Sequence, residues 1–315
     1  MYILKLKPVF KDYLWGGTKL RDEYGFESEL SKLAEGWMLS CHKDGENLIE
    51  NGEFANKTLT DVIKSYPDYL GENGKQFEYF PILIKIIDAK DDLSVQVHPD
   101  NDYAMRVEKE YGKTECWYIL DCDDNAELIY GFNREISSEE FKNRIADNTF
   151  LETVNKVKVK KGDLFFIEAG TLHAIGKGIL LAEIQQNSNT TYRVYDYGRL
   201  GADGKTRPLH VEKAIDVTNC TPPTRPTTAE GKLIEYDNYS IQLLTKCDLF
   251  NVKKVSVKNL FDDVADDASF VSVLVTDGNG TIDGIDIKKG DSLFIPANYG
   301  TFTVKGNLEI IVTRV

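Results

Sequence analysis

Two copies of one ten-residue pattern decide the fold of this chain. Residues 160–169 read KKGDLFFIEA and residues 288–297 read KKGDSLFIPA, with seven of ten positions identical at an offset of 128 residues. The identity resumes at Lys177-Gly178 and Lys305-Gly306. In each copy a Lys-Gly-Asp turn precedes a run of strand-forming residues. We therefore predict two copies of one β unit, in which a turn leads into a strand that ends in a bend.

A proline-rich stretch lies between the two copies. Residues 219–228 read NCTPPTRPTT and hold three of the nine prolines. Proline cannot donate to a β ladder, so this stretch is typical of a linker. We predict a first domain over 1–220, a linker over 221–235 and a second, metal-free β domain over 236–315.

Aromatic and β-branched runs recur along the 315 residues and favour a mostly β fold with few, short helices. Strands are predicted at 165–167, 192–195 and 270–275. Helices are predicted at 58–66, at 101–111 before the stop signal Gly112, at 141–147 after the capping box of Ser137 and Glu140, and within 18–34.

The composition limits the partners of the protein. The formal net charge is −13, which opposes binding to nucleic acid or anionic membranes. A phosphorylated ligand would need a local cluster of Lys or Arg. Residues 1–7 carry no apolar leader, no apolar run approaches a membrane span, and the five cysteines form no C-x-x-C pair. We expect a cytoplasmic protein with reduced thiols; the oligomeric state is not indicated.

Histidine is scarce, which makes its context informative. In LSVQVH, residues 93–98, strict alternation places Ser94, Gln96 and His98 on one face of a strand. That face lines a pocket in one interpretation. In the other it faces solvent, and His98 simply ends the strand before Pro99.

A carboxylate and a further histidine complete a candidate metal set. Glu115 begins the apolar run ECWYIL, where an isolated charge is usually solvated. Residues 162–173 read GDLFFIEAGTLH, which resembles the second sequence motif of the cupins, with Glu168 at a usual proline position. The second copy has Pro296 there but Thr301 where His173 would align. Gln96, His98, Glu115 and His173 together suit zinc with one open position, unless they lie unconnected on separate strands.

The stretch at 182–199, AEIQQNSNTTYRVYDYGR, is rich in polar groups yet strand-like. Thr191, Arg193 and Tyr195 share a face, and arginine offers a bidentate fork for phosphate or sugar oxygens. Arg199 follows a turn glycine and is interpreted as a surface or salt-bridge group.

Taken together, these motifs resemble the type I mannose-6-phosphate isomerases in their short bacterial form. The resemblance spans nearly the first 220 residues and rests on four motifs in order, with two further matches near the amino terminus. They are QVHPD at 96–100, KTECWY at 113–118, GTLHAIG at 170–176, the stretch at 182–199, WGG at 15–17 and AEGWM at 34–38.

The resemblance implies a fold of two cupin-like jelly-roll β-barrels, with short helices decorating the amino-terminal one. It implies one zinc ion per chain, an active-site arginine, a lysine and a glutamate near the metal, and three further residues lining the pocket. The zinc ligands would be Gln96, His98, Glu115 and His173; the catalytic groups Arg193, Lys113 and Glu183; and the pocket residues Trp15, Ser94 and Lys85. Taken singly, Lys113 and Glu183 could equally be solvated charges and Arg193 a cross-strand ion pair.

The implied reaction interconverts mannose 6-phosphate and fructose 6-phosphate by moving a proton between C1 and C2 through an enediol-like state. Such a reaction needs an acid, a base and oxyanion stabilisation. Zinc and Arg193 would stabilise the oxyanion, and Glu183 and Lys113 would handle the proton, with acid and base unassigned. Lys85, Lys113 or Arg193 could hold the phosphate. Ile175 departs from the aromatic residue of the long eukaryotic members, whose helical insertion is also absent.

Two other functions remain open at this point. An iron-dependent cupin dioxygenase usually has three histidines and a glutamate, whereas Gln96 stands in place of one histidine here. A non-catalytic sugar-binding cupin would keep the pocket without needing Lys113, Glu183 and Arg193 together. The second copy is expected to be structural or lid-like.

Overall fold

The computed structural model describes residues 1–201 and 204–315. Within these ranges the strands form three antiparallel sheets of six, five and ten strands, accompanied by a few short helices. The predicted mostly β fold is confirmed.

The first two sheets form an amino-terminal jelly roll. The larger runs in the order β10-β7-β12-β5-β3-β2 and the smaller in the order β13-β6-β11-β8-β9. Their inner faces share one apolar cluster, in which the rings of Tyr130 and Phe165 lie 5.6 Å apart. The strands are β1 (Leu4–Lys7), β2 (Val9–Lys11), β3 (Glu35–Leu39), β4 (Leu48–Ile49), β5 (Ile82–Ala89), β6 (Val95–Val97), β7 (Glu115–Cys122), β8 (Glu127–Phe132), β9 (Val154–Lys158), β10 (Leu164–Ile167), β11 (His173–Ala174), β12 (Ile179–Gln186) and β13 (Tyr192–Tyr195).

The third sheet curls around a second apolar core of Val, Ile and Phe side chains. It also takes in β1 and β4 from the amino-terminal part, because β1 pairs with β20 (Ser292–Ile295). The predicted domain division at 221–235 stays a prediction, and the first strand of the chain lies in the carboxyl-terminal sheet. The remaining strands are β14 (Ile234–Glu235), β15 (Tyr239–Lys246), β16 (Asn251–Val257), β17 (Leu260–Ala265), β18 (Val271–Ile282), β19 (Ile285–Lys288), β20 (Ser292–Ile295) and β21 (Gly300–Arg314).

Two of the predicted helices begin with a side-chain cap, at Ser137 as predicted and at Thr58, the predicted first residue of its helix. The hydroxyl of Ser137 accepts a hydrogen bond from the Glu140 N–H at 3.0 Å, and Thr58 caps its helix in the same way through Asp61 at 3.0 Å. The α-helices are α1 (Lys19–Asp22), α2 (Leu59–Ser65), α3 (Gly71–Gly74), α4 (Asn101–Val107), α5 (Ser138–Ala146) and α6 (Val211–Val217), with 3-10 turns at Gly52–Phe54, Pro67–Leu70 and Phe150–Glu152.

Two helices are shorter than predicted, and each ends in left-handed backbone. After α4 the chain turns at Lys109 (φ 59°), before the expected stop at Gly112. Within 18–34 only α1 forms, and the chain turns at Gly25 (φ 69°). None of the described helices is long and apolar enough to cross a membrane.

The sequence repeat is a structural repeat. Gly162 and Gly290 have φ of 91° and 93°, a region that favours glycine. In each turn the aspartate carboxylate accepts a hydrogen bond from a lysine N–H: Asp163 from Lys160 at 3.0 Å, and Asp291 from Lys288 at 2.9 Å. The turns then lead into β10 and β20, so the predicted duplication is confirmed.

Apolar packing joins the two halves on the outer face of the six-stranded sheet. Phe80 stacks on Phe270 at 5.3 Å, and Phe166 contacts Phe250 at 6.1 Å. This cluster stabilises the first jelly roll from outside through burial of apolar area. The interior of that jelly roll holds polar side chains beside the apolar cluster of its inner faces.

Candidate metal centre and adjoining cavity

Four side chains form a row across the larger sheet of the first jelly roll. Trp37 on β3 lies opposite Lys85 on β5, Lys85 opposite Glu183 on β12, and Glu183 opposite Trp117 on β7. Residues directly opposite in a ladder project from the same face. The pairing register therefore brings a buried cation and a buried anion together between two indoles.

A second row crosses the smaller, facing sheet. Arg193 on β13 lies opposite Gln96 on β6, and Gln96 lies opposite His173 on β11. His98 follows Gln96 by two positions and so shares its face. Both rows face the interior, which brings the sequence-predicted residues of distant segments into one site.

Three side chains that can bind a metal ion lie together at this site. His98, Glu115 and His173 offer atoms that all lie within 4.8 Å of one another, and all three side chains are buried. The two imidazole Nε2 atoms are 3.1 Å apart, and Glu115 Oε1 lies 3.9 Å from His98 Nε2 and 3.6 Å from His173 Nε2. The amide of Gln96 borders this cluster, 3.5 Å from His173 Nε2.

The donor chemistry of this cluster fits a divalent cation. His98 Nδ1 donates to the carbonyl of Thr190 at 2.9 Å and His173 Nδ1 to that of Thr171 at 2.8 Å, so each Nε2 presents a lone pair. The two lone pairs face each other across 3.1 Å, with Lys113 Nζ 3.2 Å from His98 Nε2, so positively charged groups are favoured at this point. Glu115 Oε1 is buried and receives no hydrogen bond in the described part of the chain. Two neutral imidazoles, a carboxylate and an amide suit zinc.

Burial sets the protonation of these groups. It lowers the pKa of His98 well below its ordinary value and that of His173 to about 3, and nearby Lys113 lowers both further. Both imidazoles are therefore neutral at neutral pH, which is the form that binds metal. Burial and the Glu183 charge raise the pKa of Glu115 to about 7.

A chain of alternating charges leads from the cluster into the cavity. Lys113 Nζ lies 2.5 Å from Glu115 Oε2 and 3.6 Å from Glu183 Oε1; Lys85 Nζ lies 3.1 Å from Glu183 Oε1 and 3.6 Å from Glu35 Oε2. Burial alone would raise the pKa of Glu183, but Lys113 and Lys85 outweigh it and lower the value to about 2. Charges this deeply buried are tolerated because each has an opposite partner.

All ten sequence-predicted site residues lie at this site. A cavity of about 260 Å³ is lined by Trp15, Lys85, Ser94, Gln96, Lys113, Glu183 and Arg193. The other three are the clustered His98, Glu115 and His173. The alternative that Lys113, Glu115 and Glu183 are solvated charges is wrong, since they are 4, 0 and 2% exposed.

Arginines border the cavity on the side of β13. Arg193 Nε donates to Ser94 Oγ at 3.3 Å and Nη1 to the carbonyl of Pro208 at 3.0 Å. Both acceptors are uncharged, so these contacts leave the positive charge of Arg193 uncompensated. Arg207 also lines the cavity and makes a bidentate pair with Asp196 at 2.8 and 2.6 Å, which Asp196 shares with Arg199.

Sequence reasoning missed several lining residues, including Tyr13, Glu35, Asn189 and Arg207. Arg207 lies in an irregular segment with no motif around it. Glu35 had a signal, because it is the second residue of the AEGWM match at 34–38, and its carboxylate accepts a hydrogen bond from the Trp37 indole N–H at 2.7 Å.

Two facing antiparallel sheets around buried imidazoles and a carboxylate define a cupin with a candidate metal site. Comparisons with known proteins carry this further. The model of the phosphomannose isomerase type I catalytic domain matches residues 3–131, and that of the mannose-6-phosphate isomerase cupin domain matches residues 240–315.

Relatives match over the whole chain. A protein of Bacillus subtilis named probable mannose-6-phosphate isomerase GmuF is 43% identical, covering 99% of this chain and 98% of the relative. Mannose-6-phosphate isomerase ManA of the same organism is 39% identical with the same coverage. The crystal structure of mannose 6-phosphate isomerase from Bacillus subtilis superposes with a TM-score of 0.92 at 36% identity, covering 100% of both chains.

The chain belongs to the type I phosphomannose isomerase family, and its enzymatic activity is that of a mannose-6-phosphate isomerase. Phosphomannose isomerase variants from Salmonella typhimurium share the fold at 17% identity, with a TM-score of 0.80 for one of them.

Proposed function

We propose that this enzyme interconverts mannose 6-phosphate and fructose 6-phosphate by zinc-dependent proton transfer between C1 and C2. The observation that carries the proposal is the adjacency of two sets of groups in one buried cavity. The His98–Glu115–His173 cluster touches Lys113, and Lys113 in turn faces Glu183. A sugar bound in this cavity would therefore be within reach of both the proposed metal ligands and the proposed proton-handling pair.

His98, His173, Glu115 and Gln96 would hold the zinc ion. When bound, zinc acts as a Lewis acid that polarises a carbonyl or hydroxyl oxygen. The residues around it exclude water, because Trp117 packs edge-on against His173 at 5.3 Å and Ile175 lines the cavity. Exclusion of water strengthens every charge interaction inside the site.

Lys113 and Glu183 handle the proton in this proposal. Their Nζ and Oε1 atoms are 3.6 Å apart, and both side chains line the cavity. The Trp117 indole donates to Glu183 Oε2 at 2.9 Å and Lys85 holds Oε1, so the carboxylate has a defined orientation. General acid–base catalysis requires such fixed groups within hydrogen-bond reach of the reacting atoms.

Arg193 and Arg207, which both line the cavity, are proposed to meet different negative charges of the substrate, and Arg199 supports Arg207 by sharing Asp196. Arg193 lies opposite Gln96 in the sheet, beside the proposed metal ligands, and is placed to stabilise the negative charge that develops on the sugar oxygens. Arg207 and Arg199 share one carboxylate and so retain net positive charge at the cavity edge, where they can hold the phosphate. Lys85 is less suited, because Glu183 and Glu35 already neutralise it.

A coupled assay with mannose 6-phosphate tests the proposal directly. Chelator treatment is expected to abolish turnover, and added zinc to restore it. In D₂O, NMR should show deuterium entering the transferred position of the product at a rate set by solvent exchange. Full turnover by protein that contains no metal would overturn the zinc assignment.

The same preparation separates this function from its two rivals. An iron dioxygenase would consume oxygen with a sugar or other substrate, and a non-catalytic sugar-binding cupin would bind mannose 6-phosphate without converting it. The proposal expects zinc rather than iron on elemental analysis and no oxygen uptake. Cytoplasmic location and the absence of nucleic-acid and membrane partners stay predictions.

A further inference from the structure

His42 is a buried histidine that the catalytic proposal does not use. Its side chain is 4% exposed and meets the Trp37 ring edge-on at 5.8 Å. His42 Nδ1 accepts a hydrogen bond from the Asp44 N–H at 3.1 Å, so the ring proton of the neutral imidazole is on Nε2. That nitrogen faces Glu110 Oε1 at 3.3 Å and donates to it.

Glu110 collects hydrogen bonds from two distant segments. Oε1 accepts from His42 and from Lys43 Nζ at 3.0 Å. Oε2 accepts from the Asn189 N–H at 3.2 Å and from the Thr190 hydroxyl at 3.1 Å. Hydrogen bonding from His42 outweighs burial and, with Lys43, holds the pKa of Glu110 well below its ordinary range. The carboxylate is therefore ionised and accepts at both oxygens at neutral pH.

The segment that Glu110 holds carries a contact to the metal cluster. Residues 187–191 connect β12 to β13 outside the β ladders, and contacts such as Asn187 N–H to the Pro81 carbonyl hold its start, whereas Glu110 holds Asn189 and Thr190. The Thr190 carbonyl accepts the hydrogen bond from His98 Nδ1 at 2.9 Å. On either side of it, Asn189 and Thr191 line the cavity. A shift of this segment would remove the acceptor that fixes the tautomer and ring angle of His98.

We infer that Glu110, itself oriented by His42, is a positioning residue for the metal site: it holds the Thr190 carbonyl where His98 needs it. The inference rests on the proposed metal binding. Partners that orient a ligating histidine typically change metal affinity by about 10–100-fold when removed. Glu110 contacts Thr190 rather than His98 itself, so we expect its removal to weaken zinc binding about tenfold, the lower end of that range.

The test compares zinc affinity, by chelator competition, in the full-length wild type and in Glu110→Gln. The amide of glutamine can accept on only one side, so either His42 and Lys43 or the Asn189–Thr190 segment loses its acceptor. Lys43→Met is the matched control, because it removes only the 74% exposed partner of the same carboxylate. We expect the zinc Kd to rise about tenfold in Glu110→Gln and to stay within about twofold in Lys43→Met.

A readout without metal separates positioning from general stability. In ¹⁵N-labelled apoprotein, imidazole NMR should report the Nδ1–H tautomer of His98 in wild type and a mixture in Glu110→Gln, with His98→Gln identifying the signal. Urea unfolding of each apoprotein records stability independently. Thr190→Val removes one hydrogen-bond donor to Glu110 and replaces Glu110→Gln in the test if that variant does not fold. Its expected loss of zinc affinity is smaller. The double variant should bind zinc no more weakly than Glu110→Gln alone.

The outcomes separate the two proposals. Wild type that does not bind zinc would overturn the proposed function and this inference together. Wild type that binds zinc, with Glu110→Gln and Thr190→Val binding equally well and keeping the His98 tautomer, would overturn the inference alone.

Discussion

The two jelly rolls of this enzyme share a turn and a strand but fill their interiors with opposite chemistry. In both, a Lys-Gly-Asp turn with glycine near φ 90° leads into a short buried strand, β10 or β20. The first interior holds His173, Lys85 and Glu183, whereas the second is filled by residues such as Val273 and Ile310. The backbone unit therefore does not specify function; the inward side chains do.

The comparison also explains how one half can carry so many buried charges. Burying an unpaired ion costs far more free energy than one apolar contact returns. The first jelly roll alternates Glu35, Lys85, Glu183, Lys113 and Glu115 so that each charge meets an opposite one. The second jelly roll packs against its outer face and adds buried apolar area to that of the cluster between the two inner faces.

The position that separates the two copies should give the largest effect. His173→Ala removes one of the proposed imidazole ligands, so we expect loss of the proposed zinc ion and a fall in kcat on the order of 10³-fold. Thr301→Ala alters the aligned, exposed position of the second copy and should leave metal content and turnover unchanged. Elemental analysis measures bound zinc and the coupled assay measures turnover. Equal losses in His173→Ala and Thr301→Ala would contradict the proposal that only the first copy binds metal.

Within the first jelly roll, Arg193→Ala should mainly change kcat, whereas Arg207→Ala should mainly change KM. Arg193 is assigned to charge that develops during reaction, so its removal should lower kcat about 10²–10³-fold with zinc retained. Arg207 is assigned to the phosphate, present before and after reaction, so its removal should raise KM about tenfold or more. Steady-state kinetics tells them apart, and near-full turnover by Arg193→Ala would refute its role.

The buried charge chain predicts a pH dependence that the apolar copy lacks. The folded pKa of Glu183, about 2, lies below the value of about 4.3 for an unfolded glutamate. Its stabilising contribution is therefore complete above about pH 4.3 and is lost as the pH falls towards 2. The free energy of unfolding of the wild-type apoprotein should exceed that of Glu183→Gln near neutral pH. The difference between the two should become smaller as the pH falls. Urea unfolding at a series of pH values measures this difference. A difference that becomes larger as the pH falls would contradict the predicted direction of the pH dependence.

The smallest effect is expected where the copies differ at the surface. Glu168 stands at the position of Pro296 and pairs with Arg225 of the predicted linker at 2.9 Å, with both side chains at least one-third exposed. Exposed ion pairs contribute little, so Glu168→Ala should reduce the free energy of unfolding by about 0.5 kcal/mol or less. Thermal unfolding measures this change. A loss of several kcal/mol in the free energy of unfolding would contradict the prediction that this exposed ion pair contributes little to stability.

Local patterns in the sequence were sufficient for much of the fold. The cap at Ser137, the helix near Thr58, the repeated Lys-Gly-Asp turns and the alternation at 93–98 each depend on residues within a few positions of one another. The predicted strands at 93–98 and from Glu115 correspond to β6, which contains Gln96, and to β7, whereas no strand was predicted for His173. Helix ends were less predictable, because Lys109 adopts a left-handed conformation that no nearby signal requires.

Order along the chain thus specifies turns, caps, strand faces and the kinds of side chain available for chemistry. Which of those side chains meet is decided by strand register over long separations, as where Lys85 contacts both Glu35 and Glu183, and where β1 joins the sheet of the last 80 or so residues. The same holds for the burial of Glu115 and the approach of Arg207 to the cavity. Hydrogen-bonded ladders and apolar packing are collective, so no short segment encodes these neighbours.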